Sequence, residues 1–127
     1  RSFGPPHLSV IPYMPQEELR SAYAAARVHA LPSWMETCGL VTMEAAMAGA
    51  STVCSTAGYE LEYYRDLTYY CDPADHRSIS KAVVRAFDNY DRDAGRRQQL
   101  QELIRKEYTW ERAAELTFRA YQGVLQR

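Results

Sequence analysis

Four short apolar runs alternate along this chain with segments of helical periodicity, and this alternation constrains the fold more than any other feature. Residues 7–13 place Leu8, Val10 and Pro12 at every second position and are closed by Pro15. Residues 28–31 form a brief apolar run ended by Pro32. Residues 51–55 contain Thr52-Val53-Cys54, and residues 67–71 end at Asp72-Pro73. Each is predicted to be a strand.

Helical patterns fill the intervals. Pro15 suits a first helical position, with Glu17 and Glu18 in the first turn and Leu19, Tyr23 and Ala26 at helical spacing. Residues 39–47 read as a helix with Leu40, Met43, Ala46 and Met47 on one face, ended by Gly49 as a C-cap. Residues 60–65 suffice for one or two turns. A longer helix starts at Ala74 or Asp75, runs to about Tyr90, and is expected to bury Ile79, Ala82, Val83, Ala86 and Phe87. Residues 93–107 place Leu100, Leu103 and Ile104 at helical spacing. Thr109 is the expected N-cap of a last helix whose Trp110, Ala113, Ala114, Leu116, Thr117, Ala120, Tyr121 and Val124 face inward. Strands alternating with helices imply βαβ units and a parallel sheet, an α/β fold of Rossmann-like type. Ligands of such sheets bind beyond the carboxyl ends of the strands, where residues 33–39 follow the second strand.

At 127 residues the chain suffices for a single modest domain. Four strands are few for a complete doubly wound sheet, and the chain opens on Arg1 rather than methionine, so it is expected to be part of something longer. A formal net charge of −1 and the lack of a basic block argue against a nucleic-acid partner. No apolar run approaches the roughly 20 residues that span a bilayer. Cys38, Cys54 and Cys71 match no zinc spacing and read as reduced, packed thiols, which points to the cytoplasm.

The chemistry concentrates in residues 32–49. Glu36 and Glu44 stand eight positions apart, with a loop turning into a helix at Gly39 between them. Glycine there lets a ligand approach the backbone. The first helical amides lack internal partners and carry the positive end of the helix dipole, so Cys38, Gly39, Leu40 and Val41 can offer N–H groups to a phosphate. Glu44 lies about 7 Å along the axis from Gly39, at ~1.5 Å per residue, and can accept two hydroxyl bonds from a ribose. Glu36 lies on the other side of the phosphates, where it can meet sugar hydroxyls or positive charge at an anomeric carbon. A nucleotide-sugar fits this line of acceptor, donors and acceptor. Paired acids at this spacing are also common on solvated surfaces, so the spacing alone leaves both readings open.

The surrounding residues extend the pattern. Pro32-Ser33, Glu36-x-x-Gly39-Leu40, Glu44-Ala45, Gly49, Val53, Gly58 and Glu62 together resemble the C-terminal nucleotide-sugar-binding domain of retaining GT-B glycosyltransferases, family 4, the group 1 transferases. Flanking similarity includes residues 13–19, Tyr23-Ala24-Ala25-Ala26, Asp72-Pro73 and Tyr108-Thr109-Trp110-Glu111, so the register runs over about residues 7–126. The resemblance implies a partial C-terminal domain occupying residues 1–127, with the N-terminal acceptor domain absent. It implies glycosyl transfer, with retention, from a UDP- or GDP-linked donor to a saccharide or lipid-linked acceptor. It implies Glu36 as the catalytic-site glutamate acting by position and charge, and Glu44 as the ribose-binding glutamate. Gly39, Leu40 and Val41 then face the diphosphate. It implies no cofactor and no metal, and a cytoplasmic setting or the cytoplasmic face of a membrane reached through the missing half. The isolated chain is then expected not to turn over.

Departures from the family pattern are Thr37, Tyr59 and Leu61, the last two replacing a usual Gly and Pro. Competing readings are a non-catalytic nucleotide-binding or scaffold domain and an epimerase or phosphorylase relative; Lys81 and Lys106, the only lysines, sit in no pyridoxal-phosphate setting. Trp34 can line the donor site from the loop or cap the sheet edge. Arg27 and Arg65 read as surface residues, and the Tyr63-Tyr64 and Tyr69-Tyr70 pairs as packing. The last helix of this fold often crosses to the other domain, which would leave its apolar face partly exposed here.

Overall fold

A computed structural model describes residues 7–126. Its sheet has three parallel strands, β1 (Val28–Leu31), β2 (Ser51–Ser55) and β3 (Tyr69–Cys71), side by side in chain order. Val28 pairs with Ser51 and Leu31 with Cys54; Val53 pairs with Tyr69 and Ser55 with Cys71. The predicted strands at 28–31 and 51–55 have these bounds, and the third is shorter than residues 67–71. Residues 7–13 form no strand: they pair with nothing among the described residues, and Leu8, Val10, Ile11 and Tyr13 are exposed. Alternation makes a segment compatible with a sheet, but only a neighbour's hydrogen bonds make it a strand.

Among the described residues six helices surround the sheet: α1 (Gln16–Ala25), α2 (Leu40–Met47), α3 (Glu60–Tyr64), α4 (His76–Asp88), α5 (Ala94–Glu107) and α6 (Trp110–Leu125). Side chains alternate across a strand, so β2 feeds two cores. On one face Cys54 joins Met43 and Ala46 of α2, Tyr64 of α3, and Leu100 and Ile104 of α5. On the other, Val53 joins Tyr69, Cys71 and the α4 alanines Ala82 and Ala86. All five residues of β2 are buried. Its polar members are satisfied in part by Thr68, whose hydroxyl lies 2.6 Å from that of Thr52 and 2.7 Å from the Thr52 carbonyl.

Local signals set the helix ends. Asp75 accepts the Arg77 N–H at 2.8 Å and Thr109 that of Arg112 at 3.1 Å, both as N-caps. Gly49 follows the α2 C-cap Ala48 with φ +103°, the left-handed conformation that ends a helix cheaply only for glycine.

Three inward assignments are corrected. Leu40 faces solvent; α2 buries Thr42, Met43, Ala45 and Ala46 instead. Phe87 is exposed, with the Arg27 guanidinium over its ring at 5.1 Å. No α6 residue is buried, and Trp110, Phe118, Tyr121 and Val124 form an open apolar face because nothing among the described residues covers them.

Candidate functional site

The loop after β1 carries Glu36 and runs into α2 through Gly39. Gly39 is buried and left-handed at φ +61°, where an L side chain costs roughly 1–2 kcal/mol. A Cβ at Gly39 would lie 2.9 Å from Glu60 Oε1, 3.2 Å from Thr42 Oγ1 and 3.5 Å from Glu36 Cγ. Position 39 therefore needs glycine for conformation and for space. Its carbonyl accepts the Thr42 and Met43 N–H groups at 2.8 and 3.1 Å, opening the helix. Among the described residues, nothing accepts the amides of Gly39, Leu40 and Val41. They are three orphan donors at the positive end of a helix.

Leu40, Val41 and Glu44 are exposed on α2, with Leu40 and Glu44 one turn apart on its outer face. Glu44 lines a groove of ≈ 610 Å³ between α1 and α2, with Gln16, Arg20, Tyr23, Ala24, Met47 and Ala48 as the other walls. Tyr23 meets His29 edge-on, with ring centroids 5.6 Å apart, and burial together with the Glu44 charge raises the Tyr23 pKa. His29 Nε2 lies 3.4 Å from Thr42 Oγ1, and burial lowers its pKa, so a neutral imidazole supports α2 from behind.

Glu36 is half-buried. The Thr37 N–H donates to its Oε1 at 3.1 Å, and its carbonyl accepts the Tyr59 N–H at 3.1 Å. Gly58 lies against the Glu36 backbone so closely that a Cβ there would be 2.5 Å from the Glu36 oxygen. The segment with Tyr59 and Leu61 in place of Gly and Pro thus still forms its turn and then α3. Cys38 is half-buried, and Tyr64 donates a hydrogen bond to its carbonyl. Packing is its visible role.

Glu36, Cys38, Gly39, Leu40, Val41 and Glu44 thus run along one loop-to-helix turn, and of these Glu44 alone lines the groove between α1 and α2. Arg27 takes no part: it pairs with Asp91 at 2.8 Å and stacks on Phe87 and Tyr90. Trp34 is 70% exposed and touches no core. Glu62, the acid matching the family pattern, points to solvent, whereas Glu60 is fully buried beneath Gly39. Sequence reading missed Glu60 and the supporting role of Tyr64. Their common signal is spacing: four residues apart, they share the inner face of α3.

Comparison with known proteins follows the same lines. The glycosyl transferases group 1 family matches residues 4–107. The O-antigen chain mannosyltransferase B of Escherichia coli is 32% identical over 111 residues, covering 87% of this chain and 29% of that protein. Among solved structures, a sucrose-phosphate synthase from Thermosynechococcus elongatus superposes with a TM-score of 0.76 at 23% identity, covering 91% of this chain and 30% of that one. The second likeness is one of fold, that of a GT-B glycosyltransferase. The chain spans less than a third of the curated relative it matches. It belongs to the glycosyl transferases group 1 family.

Proposed function

We propose that, within this family, the chain is the donor-binding part of a retaining glycosyltransferase that takes a nucleotide-sugar. The observation that carries the reading is the row of three unpartnered amides at Gly39, Leu40 and Val41, flanked by Glu36 and Glu44. A diphosphate accepts from the amides and the ribose donates to Glu44 at the groove. The transferred sugar then lies towards Glu36. As the anomeric carbon–oxygen bond breaks, its electron pair leaves with the diphosphate. The amides stabilise the negative charge growing there, and Glu36 the positive charge growing on the sugar. Fixed dipoles supply this without a metal or cofactor.

The donor is UDP- or GDP-linked. GDP-mannose is the first to test, because the matched relative is named a mannosyltransferase. A saccharide or lipid-linked acceptor is bound through an N-terminal domain, at the cytoplasmic face of a membrane where that acceptor is a lipid. A scaffold role is the competing reading, and turnover separates the two.

The test pairs two substitutions in the protein as its gene encodes it. Glu44→Ala should weaken nucleotide binding about 10- to 100-fold, the worth of one charge-assisted hydrogen bond, by isothermal titration calorimetry. Glu36→Gln should lower kcat far more than nucleotide affinity. Unchanged affinity in the first removes the ribose role. Equal losses of kcat and affinity in the second reduce Glu36 to a support of its loop.

A further inference from the structure

We propose that α3 carries two positioning residues for donor binding: the Tyr64 hydroxyl fixes which way the peptide groups of the turn face, and the Glu60 carboxyl group sets the charge beneath them. The proposal rests on the donor reading above and goes beyond it to residues that touch no donor.

The geometry of Tyr64 comes first. Its side chain is fully buried among Met43, Cys54, Leu100 and Ile104, so the ring cannot swing. Its hydroxyl donates to the carbonyls of Cys38 and Gly39, the latter at 3.1 Å. In a trans peptide the carbonyl and the following N–H point in opposite directions. A Cys38 carbonyl held inward turns the Gly39 N–H outward, and a Gly39 carbonyl held inward does the same for the Leu40 N–H. These are two of the three orphan donors. Burial raises the Tyr64 pKa, which keeps the hydroxyl a donor.

Glu60 stands one helical turn earlier. Its side chain is fully buried, and its Oε2 accepts the Ser55 N–H at 3.1 Å, tying α3 to the end of β2. Its Oε1 has no partner and faces the Cα of Gly39. The groups around it are Glu36 of the loop, Cys54 of β2, Cys71 and Tyr70 of β3, and Tyr64 of α3. Each is acidic or neutral, and no cation among the described residues offsets a charge on Glu60. Burial, with a smaller contribution from the Glu36 charge, raises its pKa. While Glu60 is neutral, the amides of α2 present an undiminished positive field. Once ionised, it sets a negative charge behind the phosphate site, and donor affinity falls as pH rises.

The test uses the protein as its gene encodes it, with Tyr64→Phe and Glu60→Gln. GDP and UDP affinities are measured by calorimetry from acid to alkaline pH, and amide NMR shifts of Gly39, Leu40 and Val41 are followed without ligand. Tyr64→Phe should weaken nucleotide binding about tenfold, the effect of one neutral hydrogen bond, and shift the Gly39 and Leu40 amides. Wild type should lose affinity as pH rises, with the ligand-free amides titrating alongside. Glu60→Gln, with the same shape and no charge to gain, should bind well, stop the ligand-free amides titrating, and leave only the pH dependence of the nucleotide's own phosphate. If nucleotide binds and neither variant alters affinity, pH profile or amide shifts, the positioning role is overturned. If the ligand-free amides respond as expected but no nucleotide binds at any pH, the positioning stands and the donor reading fails. Loss of melting temperature in Tyr64→Phe with unchanged affinity would mark a merely structural residue.

Discussion

Replacing Gly58 by alanine tests how Glu36 is held without touching Glu36 itself. The added Cβ would stand 2.5 Å from the Glu36 carbonyl oxygen, 2.9 Å from its nitrogen and 3.3 Å from its carbonyl carbon. The first distance is roughly 1 Å short of the ~3.5 Å at which non-bonded atoms attract. All three atoms are backbone, so no side chain can rotate away. Gly58 has no left-handed φ, so contact alone sets the penalty. Overpacking of this kind costs about 1–3 kcal/mol. The Tyr59 N–H bond to the same Glu36 oxygen, now 3.1 Å, would be stretched for about 1 kcal/mol more. A total near 2–4 kcal/mol lowers the melting temperature by about 6–20 °C for a domain of this size. A shift of Glu36 by most of an ångström should lower kcat about 10- to 100-fold, because a misplacement near 1 Å costs about that much. Nucleotide affinity, which the proposed function assigns to Glu44 and the α2 amides, should change by less than about fivefold. Differential scanning calorimetry and steady-state kinetics supply the readouts. Gly95→Ala is the control: a Cβ there meets nothing within 4 Å inside α5, so it should be neutral or stabilising by up to about 1 kcal/mol. If Gly58→Ala leaves both kcat and melting temperature unchanged, Gly58 is no spacer and the contact reasoning fails.

His29 titrates below its ordinary value because burial disfavours the imidazolium, so the unfolded chain takes up its proton first as pH falls. The stability it contributes is therefore present above about pH 6.5 and lost on acidification below it. The urea midpoint of wild type should fall more between about pH 7.5 and pH 5.5 than that of His29→Gln; parallel curves would remove His29 from the balance. Thr109→Ala removes the N-cap bond to Arg112 and should cost α6 about 1 kcal/mol. Because no α6 residue is buried, this should appear as faster amide exchange in the first turn of α6, not as a lower melting temperature. A large global loss would show that α6 is docked more firmly than its exposure indicates.

The sequence exposed the parts of the fold that rest on local chemistry. β1 and β2 were legible because Pro32 and Gly49 punctuate them, and the α2 turn because only glycine serves at position 39. Residues 7–13 form no strand and α6 buries none of its apolar face for one reason: apolar periodicity says which side of an element seeks cover, not whether cover is there, and for α6 only the family resemblance pointed to exposure. Glu36, Gly39 and Glu44 were legible as a motif with a known resemblance. Glu60 and Tyr64 were not, because their role comes from α3 folding back beneath a loop more than twenty residues earlier. The four-residue spacing of Glu60 and Tyr64 puts them on one face of α3, but nothing in so short a run says that this face lies beneath the Gly39 turn.

The sheet is laid down in the order the chain is written, β1 then β2 then β3. No strand must wait for a later one to take its place, and each closure joins elements close in sequence, which favours rapid assembly. The turn at Gly39 runs against that order. Its residues precede β2, but the Tyr64 hydroxyl that holds their carbonyls lies beyond β2 in the chain, and the Leu100 and Ile104 that immobilise Tyr64 lie further still. The turn at Gly39 thus takes its final shape only once elements that follow it in the chain have packed beneath it.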